Sequence, residues 1–337
     1  MLAWKSFSFR KEKFAKESDR KTSVPASLFP QGYPGSKTRP LQVLVNSSKM
    51  EHESPGRGDY THGQHMKKKE DYPGHGKSSH EGVRAEGCAM KLLQTQDKHL
   101  TLLHPELGES YHPVTGVMKH AEMYAASCEL PARILDIGFG LGFCAAAVVQ
   151  RAMREQKNVE LVGVEADNRI LHVLPEMRIP SSLEEGYAFI RKAALQRIVE
   201  QKGISVSLLQ GDARNVVADV SGKFDAVFLD GFSVMKNPEL YSEDFLRLLK
   251  TRMQPEGILV SWSNSMILRG GLRAAGFCVG SYQRGTRAGL QQQFQLDEKE
   301  ERVLRAFGKP FRDPELNWRR ERILEEWGGL PMVFLTS

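Results

Sequence analysis

The stretch that decides the fold is Ile134-Leu135-Asp136-Ile137-Gly138-Phe139-Gly140-Leu141-Gly142-Phe143, followed directly by Cys144-Ala145-Ala146-Ala147-Val148-Val149. Its first apolar residues predict a short strand buried on both faces, as in a parallel sheet. The three alternate glycines let the backbone turn sharply and approach a ligand closely, because they carry no Cβ. The Ala-rich segment favours a helix. A strand, a glycine turn and a helix are the means by which α/β folds present backbone N–H groups to a nucleotide-like ligand.

The spacing of the glycines narrows the choice of ligand. It is G-x-G-x-G at Gly138, Gly140 and Gly142, and not the G-x-G-x-x-G of dinucleotide enzymes. Asp136 stands on the strand just ahead of the first glycine, which is common where the ligand is S-adenosylmethionine, whose sulfonium is a cation. These four residues are therefore predicted to bind that cofactor. The alternative is a merely tight turn between a strand and a helix.

Composition describes a globular chain. The 337 residues are 40% hydrophobic and 26% charged. No apolar run reaches the roughly 18 residues that a transmembrane helix needs, and Met1–Arg10 lacks the apolar core of a secretory signal. Four scattered cysteines without a C-x-x-C pair indicate reduced thiols. We expect a cytoplasmic protein with no membrane partner.

The net charge of +6 belongs to the N-terminal segment. Residues 1–90 contain 16 Lys and Arg against 10 Asp and Glu, and the remaining residues contain 31 of each. Residues 1–88 are rich in Gly, Pro, Ser, His and Lys, and such a stretch buries too little apolar surface to offset its ordering entropy. They are predicted to be a disordered basic extension, and residues 89–337 a single domain. Five scattered histidines in the extension could hold a metal, but a solvated tail is the simpler interpretation, and no metal is expected.

From Arg133 onward strands alternate with helices, which predicts a doubly wound sheet. The core is expected over residues 131–296, with an amphipathic closing helix over 314–327. The predicted strands cover 133–137, 159–165, 204–210, 224–229, 258–263, 277–283 and 287–295. The predicted helices cover 114–126, 141–155, 183–201, 238–253 and 265–275.

Four acids stand at or just beyond four successive strand ends: Asp136, Glu165, Asp212 and Asp230. Ligands of open parallel sheets bind at the carboxyl ends of the strands. Glu165 suits the two ribose hydroxyls of the cofactor, and Asp212 suits the exocyclic amine of adenine. Tyr111 lies shortly before the glycine loop and could fold over the ligand. One such acid could merely cap a helix, but four together with the glycine loop predict a class I S-adenosylmethionine-dependent methyltransferase with a mostly parallel Rossmann-like sheet and an antiparallel C-terminal strand.

The segment after the fourth strand, Asp230-Gly231-Phe232-Ser233-Val234-Met235-Lys236-Asn237-Pro238-Glu239-Leu240-Tyr241, resembles an element of the tRNA 5-methylaminomethyl-2-thiouridine (MnmC-type) methyltransferase family. Agreement continues through Gly257–Ser265 and Arg269–Phe277, so that the resemblance covers roughly residues 92–320. Val234 stands where the family usually has Pro, and Tyr241 where it has Trp. The short tail after the last strand is similar to the single-domain form, without the flavin-dependent oxidase and hence without a flavin.

The resemblance implies methyl transfer from S-adenosylmethionine to the amine of 5-aminomethyl(-2-thio)uridine at the tRNA wobble position. Upstream enzymes that install the aminomethyl group would act on the same tRNA. Asp230, beside the reacting centre, could orient or deprotonate the amine, or else only cap a turn. Phe232 could stack on the base or pack in the core. Phosphate contacts are predicted for Lys236, Arg269, Arg273, Arg284 and Arg287, although exposed arginines are common.

Two other functions stay open. A polyamine aminopropyltransferase would use the same fold, a sulfonium and an amine acceptor, but it typically needs a further acidic pair, and Asp230-Gly231-Phe232 offers no second acid. A non-catalytic tRNA-binding protein with a vestigial pocket is the alternative from another class. The presence of all four acids and all three glycines disfavours a vestigial pocket.

Overall fold

The computed structural model describes residues 82–85, 88–291 and 294–328. The predicted disordered extension lies, but for its last residues, outside the described part of the chain. Three short strands come first: β1 (Gly82–Ala85), β2 (Cys88–Gln94) and β3 (Leu100–Leu103), which form an antiparallel sheet in that order. Because β1 pairs with β2 residue by residue, structure begins ahead of the predicted domain boundary at residue 89.

The main sheet has eight strands in the order β10-β11-β9-β8-β4-β5-β7-β6. Their bounds are β4 (Ala132–Ile137), β5 (Val159–Glu165), β6 (Ile198–Gln201), β7 (Ile204–Gln210), β8 (Phe224–Leu229), β9 (Met253–Ser261), β10 (Cys278–Tyr282) and β11 (Gly285–Gly289). Strands β7, β5, β4, β8 and β9 run parallel, and β11 inserts antiparallel between β9 and β10. The predicted mostly parallel sheet with an antiparallel C-terminal strand is confirmed.

Helices cover both faces of this sheet. Those of the described residues are α1 (Val117–Ala125), α2 (Phe143–Glu155), α3 (Asn168–Val173), α4 (Glu184–Gln196), α5 (Ala213–Asp219), α6 (Glu243–Thr251), α7 (Met266–Ala274), α8 (Glu298–Phe307) and α9 (Arg320–Trp327). One core layer joins apolar residues of α1, α2 and α4 to the sheet, and the other joins those of α5, α6, α7 and α9. No helix of the described residues has both the length and the apolar character needed to cross a membrane.

Several predicted elements differ from the structure, among them the strand predicted over 258–263, which is β9 and begins at Met253, and the strand predicted over 287–295, which is β11 and ends at Gly289. The predicted helix over 183–201 ends at Gln196, because Arg197 is left-handed (φ 69°) and residues 198–201 form β6, antiparallel to β7. The predicted closing helix over 314–327 shrinks to α9. Ahead of it lies α8, which the prediction missed and which begins with a capping box between Asp297 and Glu300.

The carboxyl ends of the parallel strands form the edge at which the site lies. β4 is the switch point, since the chain passes to β5 on one side and β8 lies on the other. Backbone pairing extends just past the strands, where the amide of Asp230 donates to Ile137 O at 2.8 Å and the amide of Gly211 donates to Glu165 O at 2.9 Å. These bonds hold the loops after β4, β5, β7 and β8 side by side.

Candidate active site

A cavity of about 820 Å³ opens at this edge of the sheet. The loops after β3, β4, β5, β7, β8 and β9 all line it. Among the predicted site residues, those that line it are Gly138, Gly140, Glu165, Asp212, Asp230, Tyr111, Phe232 and Arg284. The structure therefore brings together residues that are as much as 173 positions apart in the sequence, between Tyr111 and Arg284.

The glycine loop makes the tight turn that the sequence predicts. Gly138, Gly140 and Gly142 all have positive φ, at 79°, 52° and 71°. A Cβ on Gly138 would lie 2.5 Å from the carbonyl oxygen of Asp230, so only glycine lets the loop pass against the end of β8. The amide of Gly140 donates to Glu165 Oε2 at 2.8 Å. The loop is thus fixed to the strand ends on both sides.

Two buried carboxylates lie beneath and beside the loop. Asp136 is 1% exposed, and neither of its oxygens has a hydrogen-bond partner among the described residues. Burial, together with the charges of Asp230 and Glu165, raises the pKa of Asp136. Burial also raises the pKa of Glu165 to about 7, although the amides of Asp167 and Gly140 donate to it and oppose the shift. Because neither acid forms an ion pair with a cation of the described residues, the arrangement favours a positively charged ligand.

Tyr111, which the sequence suggests could fold over the ligand, lies beside the loop that follows β5. Its hydroxyl donates to Asp167 Oδ2. Asp167 caps α3 by accepting from the amide of Arg169 at 2.9 Å and from its guanidinium Nε at 2.7 Å. Asp212 behaves in a similar way at the end of β7, since it caps α5 and pairs with Arg214 at 2.5 Å. Asp212 lines the cavity, but its oxygens already accept from Arg214.

Asp230 is the centre of a hydrogen-bonded cluster under the cavity. Its Oδ1 lies 3.0 Å from His120 Nε2 and accepts from the Tyr124 hydroxyl, also at 3.0 Å. Within the described part of the chain, its Oδ2 accepts only from the Cys144 thiol, a weak donor, at 3.5 Å. The Asp230 side chain is 13% exposed. Oδ2 therefore keeps the capacity to accept a hydrogen bond from a ligand.

The cluster controls the ionisation of Asp230. Burial acts to raise the pKa of Asp230, but the charge and the hydrogen bond of His120, together with His112 and the Tyr124 hydroxyl, outweigh it, and the pKa is lowered. Burial and the neighbouring His120 lower the pKa of His112 to about 3, so His112 is neutral at neutral pH. Tyr124 has its pKa raised by burial and by the charge of Asp230, so it stays a hydrogen-bond donor. Asp230 is thus held as a carboxylate at neutral pH.

The segment around Glu109 and the segment around Ser233 meet over the mouth of the cavity. The backbone amide and hydroxyl of Ser233 donate to Glu109 at 2.8 and 2.7 Å, and Lys236 Nζ donates to Leu107 O at 2.6 Å. Tyr241 supports the segment around Ser233, because the Tyr241 hydroxyl donates to the carbonyls of Gly231 and Phe232. Lys236, predicted to contact phosphate, thus has an ammonium that ties the two segments together.

Phe232 packs within an aromatic group at this mouth. Its ring makes edge contacts with Tyr111 and His104, with centroids 5.1 and 5.2 Å apart. The side chain is half-buried and lines the cavity. Phe232 therefore has both of the environments that the sequence left open, packing on one side and the cavity on the other.

The structure corrects part of the prediction that four arginines, Arg269, Arg273, Arg284 and Arg287, contact phosphate. Arg269 is 2% exposed, and its guanidinium donates to Thr286, Ser281, Glu300 and the carbonyl of Gly285. A buried guanidinium with its donors engaged is not available to a phosphate, so the prediction for Arg269 is wrong. Arg287 is half-buried, donates to Ser127 O at 3.0 Å and lies over two aromatic rings. Arg273 pairs with Glu301, whereas Arg284 is exposed and lines the cavity.

Sequence reasoning missed the partners of Asp230. His120 and Tyr124 are four residues apart on α1 and so share a helix face, which was a usable signal. What the sequence did not indicate is that this face packs against the end of β8, 110 positions away. His120, Cys144 and Asp230 also offer nitrogen, sulfur and oxygen donors within 4.8 Å of one another, a donor set that transition metals use. In the structure these atoms hydrogen-bond to each other, and the expectation of no metal stays a prediction.

Comparisons with known proteins agree with this geometry. A family model described as S-adenosyl-L-methionine-dependent methyltransferase matches residues 181–290. The crystal structure of MnmC2 from Aquifex aeolicus is 31% identical, covers 72% of this chain and 85% of its own, and superimposes with a TM-score of 0.63. The chain belongs to the MnmC-type methyltransferase family. It is an S-adenosylmethionine-dependent methyltransferase related to the MnmC methyltransferase domain, which confirms the predicted family and fold class.

Curated relatives extend the similarity. The bifunctional protein MnmC of Methylibium petroleiphilum, named for tRNA 5-methylaminomethyl-2-thiouridine biosynthesis, is 31% identical over 196 residues. The match covers 52% of this chain but only 30% of that protein. An uncharacterized protein of Methanocaldococcus jannaschii is 28% identical over 258 residues, 70% of each chain. The match thus spans less than a third of the length of the bifunctional relative.

Proposed function

We propose that this MnmC-type protein transfers a methyl group from S-adenosylmethionine to the primary amine of 5-aminomethyl(-2-thio)uridine at the wobble position of tRNA. The observation that carries the proposal is the Asp230 carboxylate, held ionised by His120 and Tyr124 at the floor of an acid-lined cavity. The similarity to MnmC proteins supports the choice of tRNA as substrate.

The residues around the glycine loop suit the cofactor. Glu165, which lines the cavity, and the close approach allowed by glycines without a Cβ would hold a ligand that is cationic at sulfur and rich in hydroxyl groups. The Asp136 carboxyl, whose oxygens have no partner among the described residues, is buried beneath the loop and does not line the cavity. S-adenosylmethionine, when bound, supplies an electrophilic methyl carbon on a positively charged sulfur. Asp212 would reach the adenine amine only with the oxygen capacity left by Arg214.

The acceptor amine must lose a proton before its nitrogen can act as a nucleophile. Oδ2 of Asp230 has the free acceptor capacity to bind the ammonium, pass its proton on to solvent and hold the neutral nitrogen in line. His120 and Tyr124 act as positioning residues, since both donate to Oδ1 and leave Oδ2 for the substrate. The segments joined by Glu109 and Ser233 would exclude water from the amine.

A second candidate is transfer to a free polyamine. One observation favours it: Glu106, Glu109 and Glu239 also line the cavity, so the further acids that Asp230-Gly231-Phe232 lacks come from other segments. Glu239 has a buried oxygen with no partner among the described residues. Supplying diamines and spermidine with either S-adenosylmethionine or its decarboxylated form tests this candidate directly. Any turnover of these amines that exceeds turnover of the tRNA would favour it.

The proposed function is tested in cells. Deleting the gene and measuring wobble nucleosides by mass spectrometry is expected to show accumulated 5-aminomethyluridine and loss of its methylated product. Restoring the wild-type gene is expected to remove the accumulated 5-aminomethyluridine. Restoring the gene with Asp230→Asn is expected to leave most of that nucleoside unmethylated. An unchanged nucleoside profile in the deletion strain would refute the proposal.

A further inference from the structure

A second cavity, of about 410 Å³, lies beside the active site. Thr115, Trp262 and Arg284 line both cavities, so the two are contiguous. The second cavity is built from one face of α1, the turn between β10 and β11, and the segment after β2. Asp230, His120 and the glycine loop do not line this second cavity. Its volume lies within the range of sites for small organic ligands.

Helix α1 separates the two cavities. Lys119, Glu122 and Met123, at helical spacing, line the second cavity. His120 and Tyr124, on another face of the same helix, contact Asp230. A ligand that occupied both cavities would therefore cross the edge of α1 past Trp262, whose indole packs edge-on against the His120 imidazole with centroids 4.9 Å apart.

The charge of the second cavity is opposite to that of the first. Lys119 and Arg284 are both exposed, and neither forms an ion pair with a described acid, whereas Arg269 and Arg273 pair with Glu300 and Glu301. Glu122 is the one acid among its lining residues, and Gln96 and Gln283 add amide groups. Two available cations, two amides and an aromatic wall form a set that suits a nucleotide, with its phosphate and its base edge.

We propose that the second cavity binds the nucleotide that neighbours the target uridine in single-stranded RNA. The inference rests on the proposed function, which places the uridine in the first cavity. A base held there stays joined to the next nucleotide through a phosphate, which Lys119 and Arg284 would contact. Gln96 and Gln283 would contact the neighbouring base, and Trp262 would form the wall between the two bases. The cavity thus extends recognition from a modified base to its RNA context.

The test compares two substrates of one reaction: the free nucleoside 5-aminomethyluridine, and an anticodon-loop RNA hairpin that carries it. We expect Lys119→Glu to raise the KM for the hairpin about tenfold, with kcat and the nucleoside reaction unchanged. Lys119→Ala is expected to lower the slope of log Kd against log salt by about 0.7, the value of one phosphate contact on a single strand. Lys157→Ala is the control. Lys157 is exposed just ahead of β5, at the amino ends of the parallel strands, whereas both cavities lie near their carboxyl ends.

A binding measurement separates failure of this inference from failure of the proposed function. Fluorescence anisotropy with an unmodified hairpin reports RNA affinity without turnover. If the wild type methylates neither substrate, the proposed function fails, and weaker hairpin binding by Lys119→Glu but not by Lys157→Ala still supports the cavity as an RNA site. Equal hairpin affinity and equal salt slope in Lys119→Glu and wild type would overturn the inference. So would an equal loss on the free nucleoside, because that would place Lys119 at the chemistry.

Discussion

Replacing His120 by Gln tests how the protein holds its candidate general base. The His120 imidazole is 2% exposed, and its Nε2 lies 3.0 Å from Asp230 Oδ1. Glutamine can still donate a hydrogen bond, but it cannot carry a positive charge. The change therefore removes the electrostatic part of the contact and keeps most of the volume. Tyr124 continues to donate to the same oxygen.

The size of the effect follows from the contact that is lost. A hydrogen bond to a charged group such as the Asp230 carboxylate contributes about 1.5–3 kcal/mol, and glutamine keeps part of that contribution. A loss of about 1.4 kcal/mol in orienting Asp230 corresponds to a roughly tenfold fall in kcat. Burial raises the pKa of Asp230 and His120 lowers it, so removing His120 leaves burial opposed mainly by the Tyr124 hydroxyl and His112, and the pKa of Asp230 rises. Because the carboxylate is the active form, activity is then lost at a higher pH as the solution is acidified.

The assay is a pH–rate profile of kcat at saturating tRNA and S-adenosylmethionine. We expect the acid limb of His120→Gln to move to higher pH while the affinity for S-adenosylmethionine stays near wild type. His172→Gln is the control, since His172 is an exposed histidine on α3. An unmoved acid limb with an unchanged kcat would refute the assignment of His120 as the residue that holds Asp230 ionised.

Four further predictions concern other parts of the molecule. Asp230→Asn is expected to lower kcat about 10²-fold with little change in melting temperature, and wild-type turnover at neutral pH would make the residue structural. Glu165→Ala is expected to weaken S-adenosylmethionine binding by roughly 1–3 kcal/mol in calorimetry. In the wild type, S-adenosylmethionine binding is expected to tighten as the pH rises through about 7, where the Glu165 carboxyl ionises. A wild-type affinity that does not change with pH would contradict this. Arg269→Met is expected to destabilise the fold by about 1–3 kcal/mol in denaturant unfolding, because it removes the buried guanidinium that donates to Glu300, Thr286 and the carbonyl of Gly285, and an unaltered stability with weaker tRNA binding would restore the surface role. A chain that begins at Gly82 is expected to keep full turnover at saturating tRNA, with loss of turnover showing that residues 1–81 take part.

The sequence predicts four of the five parallel strands well because each is a short apolar run that ends in, or is followed by, an acid or a glycine, whereas β9 begins at Met253, ahead of the predicted strand over 258–263. Strands β5, β7 and β8 have the predicted bounds. The region after α4 was missed for a local reason: residues 198–201 continue an amphipathic pattern, and only their pairing with β7 makes them a strand. Helix α8 was missed because it is mostly charged, although its capping box was visible in the sequence.

The site was predictable where the residues lie next to the glycine loop and the strand ends. Asp230 and Glu165 share one cavity because parallel strands end at one edge of the sheet. The environment of Asp230 was not predictable, since His120 and Tyr124 reach it through tertiary packing. The charge pattern around Arg269 was misleading for the same reason: a run of arginines without acids does not indicate which of them is buried against an acid from α8.

The central claim is that the methyl group arrives on the aminomethyl nitrogen of the wobble uridine. Its most direct test is a reaction of purified protein with S-adenosylmethionine deuterated at the methyl group and a tRNA carrying 5-aminomethyluridine, followed by mass spectrometry of the nucleosides. We predict that the label appears on the exocyclic nitrogen of that nucleoside, and that it is absent when the tRNA carries unmodified uridine at the same position. Label on a ring carbon or a ribose oxygen, or no label while the protein still binds the cofactor, would contradict the account.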